Sequence, residues 1–355
     1  MHQILPLERF GVGLNMTGIV ITFVVPAYNS AATLANCLDS FIDESLLPHM
    51  EVLVINDGSS DSTAEIASDY VNQYSSFKLV NKENGGHGSV INHAAKIATG
   101  KYFKVVDSDD KVQTNNLRSF MESLSGTDAD VVFTNFRTID SRNGNIREYA
   151  MSDIPFEKKM SFDEFWSFSN VVRSVCNFHG ITYKTLLYKG CGLLLSEQIS
   201  YEDQEYSTFP IIHVSTVMPL NLFLYEYSLG DAGQSVSDVN QVKKFDQMLH
   251  VFWRLVRETP QNLTDSAKSY FSFKKREKLL SCYVAALVKN PNKKDGRKQI
   301  KNLRNELKAK DLTLYTRTEK QYLVCLFLSF IGFTGETLTN LQKNRFYRFF
   351  VKKMH

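Results

Sequence analysis

Short clusters of polar residues in this 355-residue chain have the composition of a site that handles phosphates and protons. The most acidic cluster is Asp107-Ser108-Asp109-Asp110, directly after the apolar run 102–106. Carboxylates at alternate positions of such a turn can share one hard cation, Mg²⁺ or Mn²⁺, whose remaining ligand positions take phosphate oxygens. A solvated acidic turn is the alternative, but a position directly after a buried strand favours the metal site.

A second cluster combines an aromatic ring with a carboxylate. Pro26-Ala27-Tyr28-Asn29 follows one apolar run, and Asp57 follows the next. At neighbouring strand ends these residues can hold a nucleobase, which would stack on Tyr28 and donate a ring N–H to Asp57. Tyr28 as a half-buried loop aromatic and Asp57 as a helix cap are equally compatible with the sequence.

The third cluster is the glycine-rich stretch 84–89, with Asn92 one turn into the helix that follows. Glycines let backbone amides approach an anion, and a helix N-terminus adds partial positive charge. Gly85, Gly86 and His87 are therefore candidates for binding a diphosphate. A tight connection between a strand and a helix needs similar residues, and for His87 a loop contact is favoured over a catalytic role.

The fourth cluster, Tyr201-Glu202-Asp203-Gln204-Glu205, lies far along the chain from the others. A carboxylate that removes a proton from an acceptor hydroxyl must lie opposite the leaving group, so a distant segment suits that task. The alternative is an acidic pair that stabilises a helix N-terminus.

The elements that would position these clusters alternate between strands and helices. Hydrophobic patterns predict strands at 19–25, 52–55, 78–81 and 102–106, and helices at 31–41, 64–74 and 90–98. Gly100 is expected to close the last of these helices as its C′ residue. Short apolar strands separated by helices predict an α/β fold with a doubly wound, mostly parallel sheet and helices on both faces. Ligands of such sheets bind at the carboxyl ends of the strands, where the polar clusters lie.

Charge is distributed unequally along the chain. Residues 241–355 contain 25 Lys and Arg against 9 Asp and Glu, whereas residues 1–240 contain 16 against 29. The later part also has helical patterns, predicted at 242–258 and 267–289, and few strand signals. We therefore expect an N-terminal extension (1–18), poorly ordered or due to the choice of start site, an α/β domain (19–240) and a basic α-helical region (241–355). A basic surface of this kind suits phosphates, nucleic acid or anionic lipid.

Several protein classes are disfavoured. The five cysteines are odd in number and never spaced as CxxC, which indicates reduced thiols and no structural zinc site. The longest late apolar run, 322–333, is shorter than the roughly 20 residues that a membrane span needs. The N-terminus lacks the pattern of a signal peptide. These features predict a cytoplasmic protein.

Taken together, the four clusters resemble the motifs of one family. The segments ITFVVPAYNS, VLVINDGSSDST, NKENGGHGSVINHAAKIATGKYFKVVDSDD and ISYEDQEY are similar to those of the family 2 glycosyltransferases, which are inverting enzymes of the GT-A fold. The resemblance is dense over residues 19–110, thinner to about residue 237, and does not cover the basic region.

The resemblance implies a role for each cluster. Asp203 would be the catalytic base, and Asp109 with Asp107 would ligate Mg²⁺ or Mn²⁺. The implied nucleotide-sugar-binding residues are Pro26, Ala27, Tyr28, Asn29, Asp57, Gly85, Gly86, His87, Asn92, Asp107, Ser108 and Gln234. Gln234 lies in a Gly-rich stretch, 230–237, that suits either a loop closing over the diphosphate or a linker.

The chain also departs from the family pattern. Ile91 stands where many relatives have Arg, and no QxxRW motif follows Asp203 soon after it. We therefore expect transfer of a single sugar rather than polymerisation. The donor would be a nucleotide sugar, by default a UDP-sugar, and the acceptor a glycan or a lipid-linked glycan of the bacterial cell surface. The alternative function is a non-catalytic nucleotide-sugar-binding or scaffold subunit.

The expected partners of the basic region are left open. It would dock the protein at the inner face of the cell membrane, or it would be a solvated appendage or a dimer contact. No recognised nucleic-acid-binding module is present, so nucleic acid is not expected as a partner.

Overall fold

The computed structural model describes residues 16–230, 237–335 and 337. Within these residues, one mixed sheet is flanked by helices, which confirms the predicted α/β class. Its strands are β1 Ile21–Ala27, β2 Met50–Asn56, β3 Phe77–Asn81, β4 Tyr102–Val105, β5 Lys111–Val112, β6 Val131–Asp140, β7 Ile146–Tyr149, β8 Met160–Ser161, β9 Ile181–Lys184 and β10 Thr216–Leu229. The strand order is β3-β2-β1-β4-β9-β6-β10-β5, with β7 on β6 and β8 on β10.

The first half of the sheet is parallel, as predicted. β1 pairs with both β2 and β4, and its seven residues are all buried. Such a strand is covered on both faces, which explains its continuous apolar sequence. In the β1–β2 register Ala27 lies opposite Asn56, so Tyr28 and Asp57 leave the sheet side by side.

The second half of the sheet departs from a simple parallel winding. β9 pairs antiparallel with both β4 and β6, and it separates strands that are close in sequence. β6 then pairs parallel with the long strand β10, whose register shifts twice between Leu220 and Tyr225.

Eight α-helices flank the sheet in the described part of the chain before residue 230, and the three that were predicted, at 31–41, 64–74 and 90–98, lie within about three residues of those bounds. The eight helices are α1 Leu34–Asp39, α2 Thr63–Gln73, α3 His87–Ile97, α4 Thr114–Gly126, α5 Phe162–Ser167, α6 Ser169–Val172, α7 Thr185–Gly190 and α8 Asp203–Tyr206. Gly100 does not close α3 as predicted, because that helix ends at Ile97 with Ala98 as its cap. Gly100 is instead required for packing, since a Cβ there would lie 2.4 Å from backbone atoms of Ile21 and Thr22.

The described residues from 238 to 330 are mainly helical, as expected. The helices are α9 Asp238–Lys243, α10 Phe245–Arg257, α11 Asp265–Tyr283, α12 Lys293–Lys310, α13 Leu312–Arg317 and α14 Glu319–Phe330, with a π-helical segment Val284–Lys289. The pattern at 242–258 is divided at Lys244, which caps both α9 and α10. Many buried side chains of α10–α14 form a second hydrophobic cluster, and Tyr270 and Phe271 of α11 join the sheet's own core. The boundary at 240/241 stays a prediction. None of the helices in the described ranges is long and apolar enough to cross a membrane.

Candidate active site

The polar clusters that follow β1 and β2 meet at one edge of the sheet. Tyr28 is 55% exposed there, while Pro26 and Ala27 are buried within β1. Asn29 adopts a φ of +48°, and its side-chain oxygen accepts a hydrogen bond from Ser60 N (2.8 Å). The two strand ends therefore form a connected surface, with the ring of Tyr28 available for stacking.

Asp57 organises the glycine-rich loop. Its carboxylate is buried and accepts hydrogen bonds from Lys82 Nζ (2.6 Å), Gly85 N (3.0 Å) and Gly86 N (2.7 Å). The amides that the sequence analysis assigned to a diphosphate are thus bonded to Asp57, because a buried carboxylate needs donors of its own. In this structure Asp57 shapes the loop, while its contact with a base stays a prediction.

The glycines of this loop permit close contact with residues 196–198. Gly86 has a φ of +82°, and a Cβ there would lie 2.9 Å from Gln198 N. A Cβ on Gly88 would lie 2.2 Å from Ser196 O. Gln198 N also donates to Gly85 O (2.8 Å). These glycines therefore bring the loop against a distant part of the chain.

Asn92 fixes the same distant segment and is not directed at an open site. Its amide nitrogen donates to Leu195 O (3.0 Å) and to Glu197 Oε1 (3.1 Å), and its oxygen accepts from Leu195 N (2.8 Å). These bonds occupy the buried side chain in this structure, while a contact of Asn92 with a nucleotide sugar stays a prediction.

The acidic turn follows β4, as predicted. Carboxylate oxygens of Asp107, Asp109 and Asp110 lie within 4.8 Å of one another. Asp110 is buried, and it accepts hydrogen bonds from Tyr225 Oη (2.6 Å) and Ser228 N (2.7 Å). Both of its oxygens therefore have protein donors. Asp109 is exposed and Asp107 is partly exposed, which leaves these two as the pair suited to hold a cation.

The charges in this turn fit a divalent cation. Burial, with the nearby charges of Asp107 and Asp109, raises the pKa of Asp110 well above its usual range. Closely spaced hard oxygen ligands of this kind suit Mg²⁺ or Mn²⁺. Ser108 supports the turn, since its hydroxyl lies 2.7 Å from that of Ser30.

His87 lies between two carboxylates of the site. Nε2 is 2.9 Å from Asp107 Oδ1, and Nδ1 is 2.6 Å from Glu202 Oε1. Burial alone would lower the pKa of His87, but the charges and hydrogen bonds of Asp107 and Glu202 raise it well above its usual value. Conversely, the charge of His87 outweighs burial and holds the pKa of Asp107 below its usual value.

Asp203, the predicted base, begins α8 directly after Glu202 and is partly exposed. Glu202, directly before it, shares the imidazole of His87 with Asp107, so Asp203 lies near the acidic turn. The ring centroid of His179 lies 4.8 Å from that of Tyr225, which contacts the same turn. Burial lowers the pKa of His179 to about 4. The structure therefore brings the fourth cluster to the acidic turn, as the sequence suggested.

The C-terminal helices hold the segment that carries Asp203. Arg254 of α10 donates to buried Glu205 (2.6 Å), to Ser196 Oγ (3.0 Å) and to Leu194 O (2.8 Å). Buried Lys278 of α11 lies 4.0 Å from the ring centroid of Tyr201. We call residues 194–207 the base segment. It packs between the glycine-rich loop on one side and α10 and α11 on the other.

Four residues at the site carry no signal in the sequence: His179, Tyr225, Arg254 and Lys278. None of them lies in a recognisable motif, and each reaches the site from a distant element. Glu202 could have been predicted from the sequence as a site residue, because it lies directly before Asp203 in the same acidic cluster. Gln234 lies outside the described residues, so its expected place over the diphosphate stays a prediction.

The strand order of the sheet and the helices that flank it can be compared with those of solved structures. Staphylococcus aureus TarS 1-349 in complex with UDP-GlcNAc has a similar fold, with a TM-score of 0.61 and 18% identity over 89% of this chain and 93% of TarS 1-349. The mannosyltransferase PcManGT from Pyrobaculum calidifontis, in complex with GDP-Man and Mn²⁺, gives a TM-score of 0.52 at 15% identity over 89% and 87%. The fold is GT-A.

The family follows from sequence. Residues 22–181 match the model of glycosyl transferase family 2. Glycosyltransferase GlyG of Streptococcus pneumoniae is 31% identical over 132 residues, 37% of this chain and 44% of GlyG. The match thus spans less than half of GlyG's length. This chain carries a family 2 glycosyltransferase domain with the GT-A fold.

Proposed function

We propose that the chain transfers one sugar from a nucleotide-sugar donor, by default a UDP-sugar, to an acceptor hydroxyl with inversion at the anomeric carbon. The observation that carries the proposal is the convergence of Tyr28 and Asp57, the acidic pair Asp107 and Asp109, and the segment of Asp203 at one edge of a GT-A sheet. The acceptor is a glycan or lipid-linked glycan of the bacterial cell surface.

The chemistry requires a proton acceptor and a stabilised leaving group. Asp203 would take the proton of the acceptor hydroxyl as the acceptor oxygen bonds to the anomeric carbon and the nucleoside diphosphate leaves with the electron pair of the broken bond. A divalent cation held by Asp107 and Asp109 would supply positive charge to that diphosphate. The ring of Tyr28 would stack on the base, and the site as a whole would act by positioning and electrostatics.

The test is hydrolysis and transfer with a panel of nucleotide sugars in the presence of Mn²⁺ or Mg²⁺. Asp109→Ala should abolish metal-dependent turnover, whereas Asp203→Asn should lose transfer and keep metal-dependent donor binding in calorimetry. A wild-type chain that neither turns over nor binds any donor with metal would favour the scaffold alternative. The presence of Asp107, Asp109 and Asp203 together argues against that alternative.

We also propose that α14 docks on an anionic lipid surface. Its exposed apolar side chains are Leu323, Val324, Phe327 and Phe330, continued by Ile331. The guanidinium of Arg297 lies 4.7 Å from the ring centroid of Phe330, and exposed lysines, Lys294, Lys298 and Lys320, lie on α12 and α14. An apolar helix face with cations around it matches the interface of an anionic membrane.

Charge favours an anionic lipid surface on the apolar face of α14 over two alternatives, a second copy of the chain and the C-terminal residues 338–355. A second copy of the chain would place the same cations opposite one another. Residues 338–355 contain five Lys and Arg and no acidic residue, so they do not complement the charge either. Phosphatidylglycerol vesicles should sediment the wild-type chain, and the double variant Phe327→Glu/Phe330→Glu should remain in solution.

Leu186→Glu, at a 76% exposed position on α7, is the matched control and should sediment like the wild type. Equal sedimentation of the double variant would contradict docking through α14. A self-association that the double variant abolishes in the absence of lipid would identify a second copy as the occupant instead.

A further inference from the structure

One imidazole connects the two halves of the site. His87 is the first residue of α3, and its ring nitrogens lie 2.9 Å from Asp107 Oδ1 and 2.6 Å from Glu202 Oε1. These carboxylates belong to the turn after β4 and to the base segment, 20 and 115 residues away along the chain. Because both nitrogens are engaged, the ring has no further polar atom to offer a nucleotide.

The Glu202 carboxylate depends on this contact. Its side chain is 4% exposed, and within the described ranges its second oxygen, Oε2, is buried without a hydrogen-bond partner. A buried carboxylate that loses a hydrogen-bond partner is destabilised, since it cannot turn to water instead. Removal of the imidazole would therefore displace Glu202, together with Asp203, which follows it directly.

We propose that His87 is a positioning residue that locks the base segment to the acidic turn, so that the position of Asp203 is set from the donor side of the site. The inference rests on the proposed function, in which Asp203 is the base. It assigns His87 a place between two protein carboxylates, instead of the diphosphate contact suggested by the glycine-rich motif.

Hydrogen bonds from the C-terminal helices limit how the base segment can respond. On its other side it is held by Arg254, through Glu205, Ser196 and Leu194. Loss of His87 would then release Glu202 and Asp203, while residues 194–196 before them and Glu205 after them stay attached. We therefore expect a local misplacement of Asp203 rather than unfolding of the site.

The experiment compares His87→Gln with the wild type in the full chain. Gln can keep one hydrogen bond but cannot bridge both carboxylates. We expect transfer to fall about 100-fold, since a displacement near 1 Å costs about that factor. The KM for the donor should change by less than about threefold, and donor hydrolysis by water should persist, so the ratio of transfer to hydrolysis should fall. His93→Gln, two turns further along α3, is the matched control and should keep the wild-type ratio.

A second readout does not depend on turnover. Hydrogen exchange of peptides covering residues 194–207, measured without donor, should be faster in His87→Gln and unchanged in His93→Gln. If His87→Gln does not fold, Glu202→Gln replaces it, because that change removes the charge and keeps a hydrogen bond to Nδ1. It should give a smaller fall in the same ratio.

Three results decide the matter. A wild-type ratio and wild-type protection in His87→Gln would overturn the inference. A raised donor KM with an unchanged ratio would also overturn it, because His87 would then be a donor ligand. Faster exchange in His87→Gln, in a chain whose wild type turns over no donor, would support the lock and contradict the proposed function alone.

Discussion

Gly88→Ala tests how tightly the base segment must be placed. The new Cβ would lie 2.2 Å from Ser196 O and 3.2 Å from Glu202 Cγ. A carbonyl oxygen and a methyl carbon need at least about 3.2 Å, so the base segment must move by about 1 Å. A misplacement of that size costs about 100-fold in rate, and overpacking costs about 1–3 kcal/mol of stability.

The assay measures kcat for transfer, the donor KM and the free energy of unfolding in urea for the same preparations. Gly88→Ala should lower kcat about 100-fold and change the donor KM little. Gly126→Ala, at the end of α4 with nothing within 4 Å of the new Cβ, is the matched control and should keep wild-type kcat. A folded Gly88→Ala variant with wild-type kcat would refute the idea that the rate depends on close contact between the glycine-rich loop and the base segment.

Two further predictions concern buried charges. Arg254→Met should lower the free energy of unfolding by about 3–5 kcal/mol in urea titrations, because it leaves the fully buried Glu205 without its cation; a loss no larger than that of exposed Arg317→Met would contradict this. Burial lowers the pKa of Lys104 to about 7. Between about pH 7 and 10 the unfolded chain therefore binds a proton at this lysine that the folded chain does not bind. The free energy of unfolding should rise with pH over this range, by up to about 5 kcal/mol. Lys104→Met should remove this rise, and parallel stability–pH curves for the two chains would show that Lys104 does not cause it.

The sequence predicted the first half of the fold well because local signals determine it. β1 to β4 are apolar runs that end in turn residues, and α2 and α3 lie between them with helical periodicity. The carboxyl ends of parallel strands lie together by geometry, so the sequence alone predicts Tyr28, Asp57 and Asp107 at one edge of the sheet. Asp203 required the resemblance to a family, since nothing local relates it to that edge.

What the sequence missed depends on contacts between distant residues. The amides of Gly85 and Gly86 have two plausible acceptors, a diphosphate or a carboxylate, and only the three-dimensional position of Asp57 decides between them. The sequence shows Asn92 only as a polar residue of a helix, because its hydrogen bonds with the backbone of Leu195 join residues far apart in the chain. Gly100 follows a helical pattern in the sequence, and the close approach of Ile21 that requires a glycine there is not visible along the chain.

The position of β9 between β4 and β6 has a consequence for synthesis on the ribosome. The strands β3, β2, β1 and β4 can pair once residue 105 has emerged, but the free edge of β4 is covered only when β9 ends at Lys184. At about 5–20 residues per second, those roughly 80 residues leave the edge open for about 4–16 s. An unpaired strand edge is a template for aggregation, so a nascent chain delayed between these two strands is the form most in need of a chaperone. The base segment completes its contacts with the C-terminal helices later still, since Lys278 is synthesised more than 70 residues after Asp203.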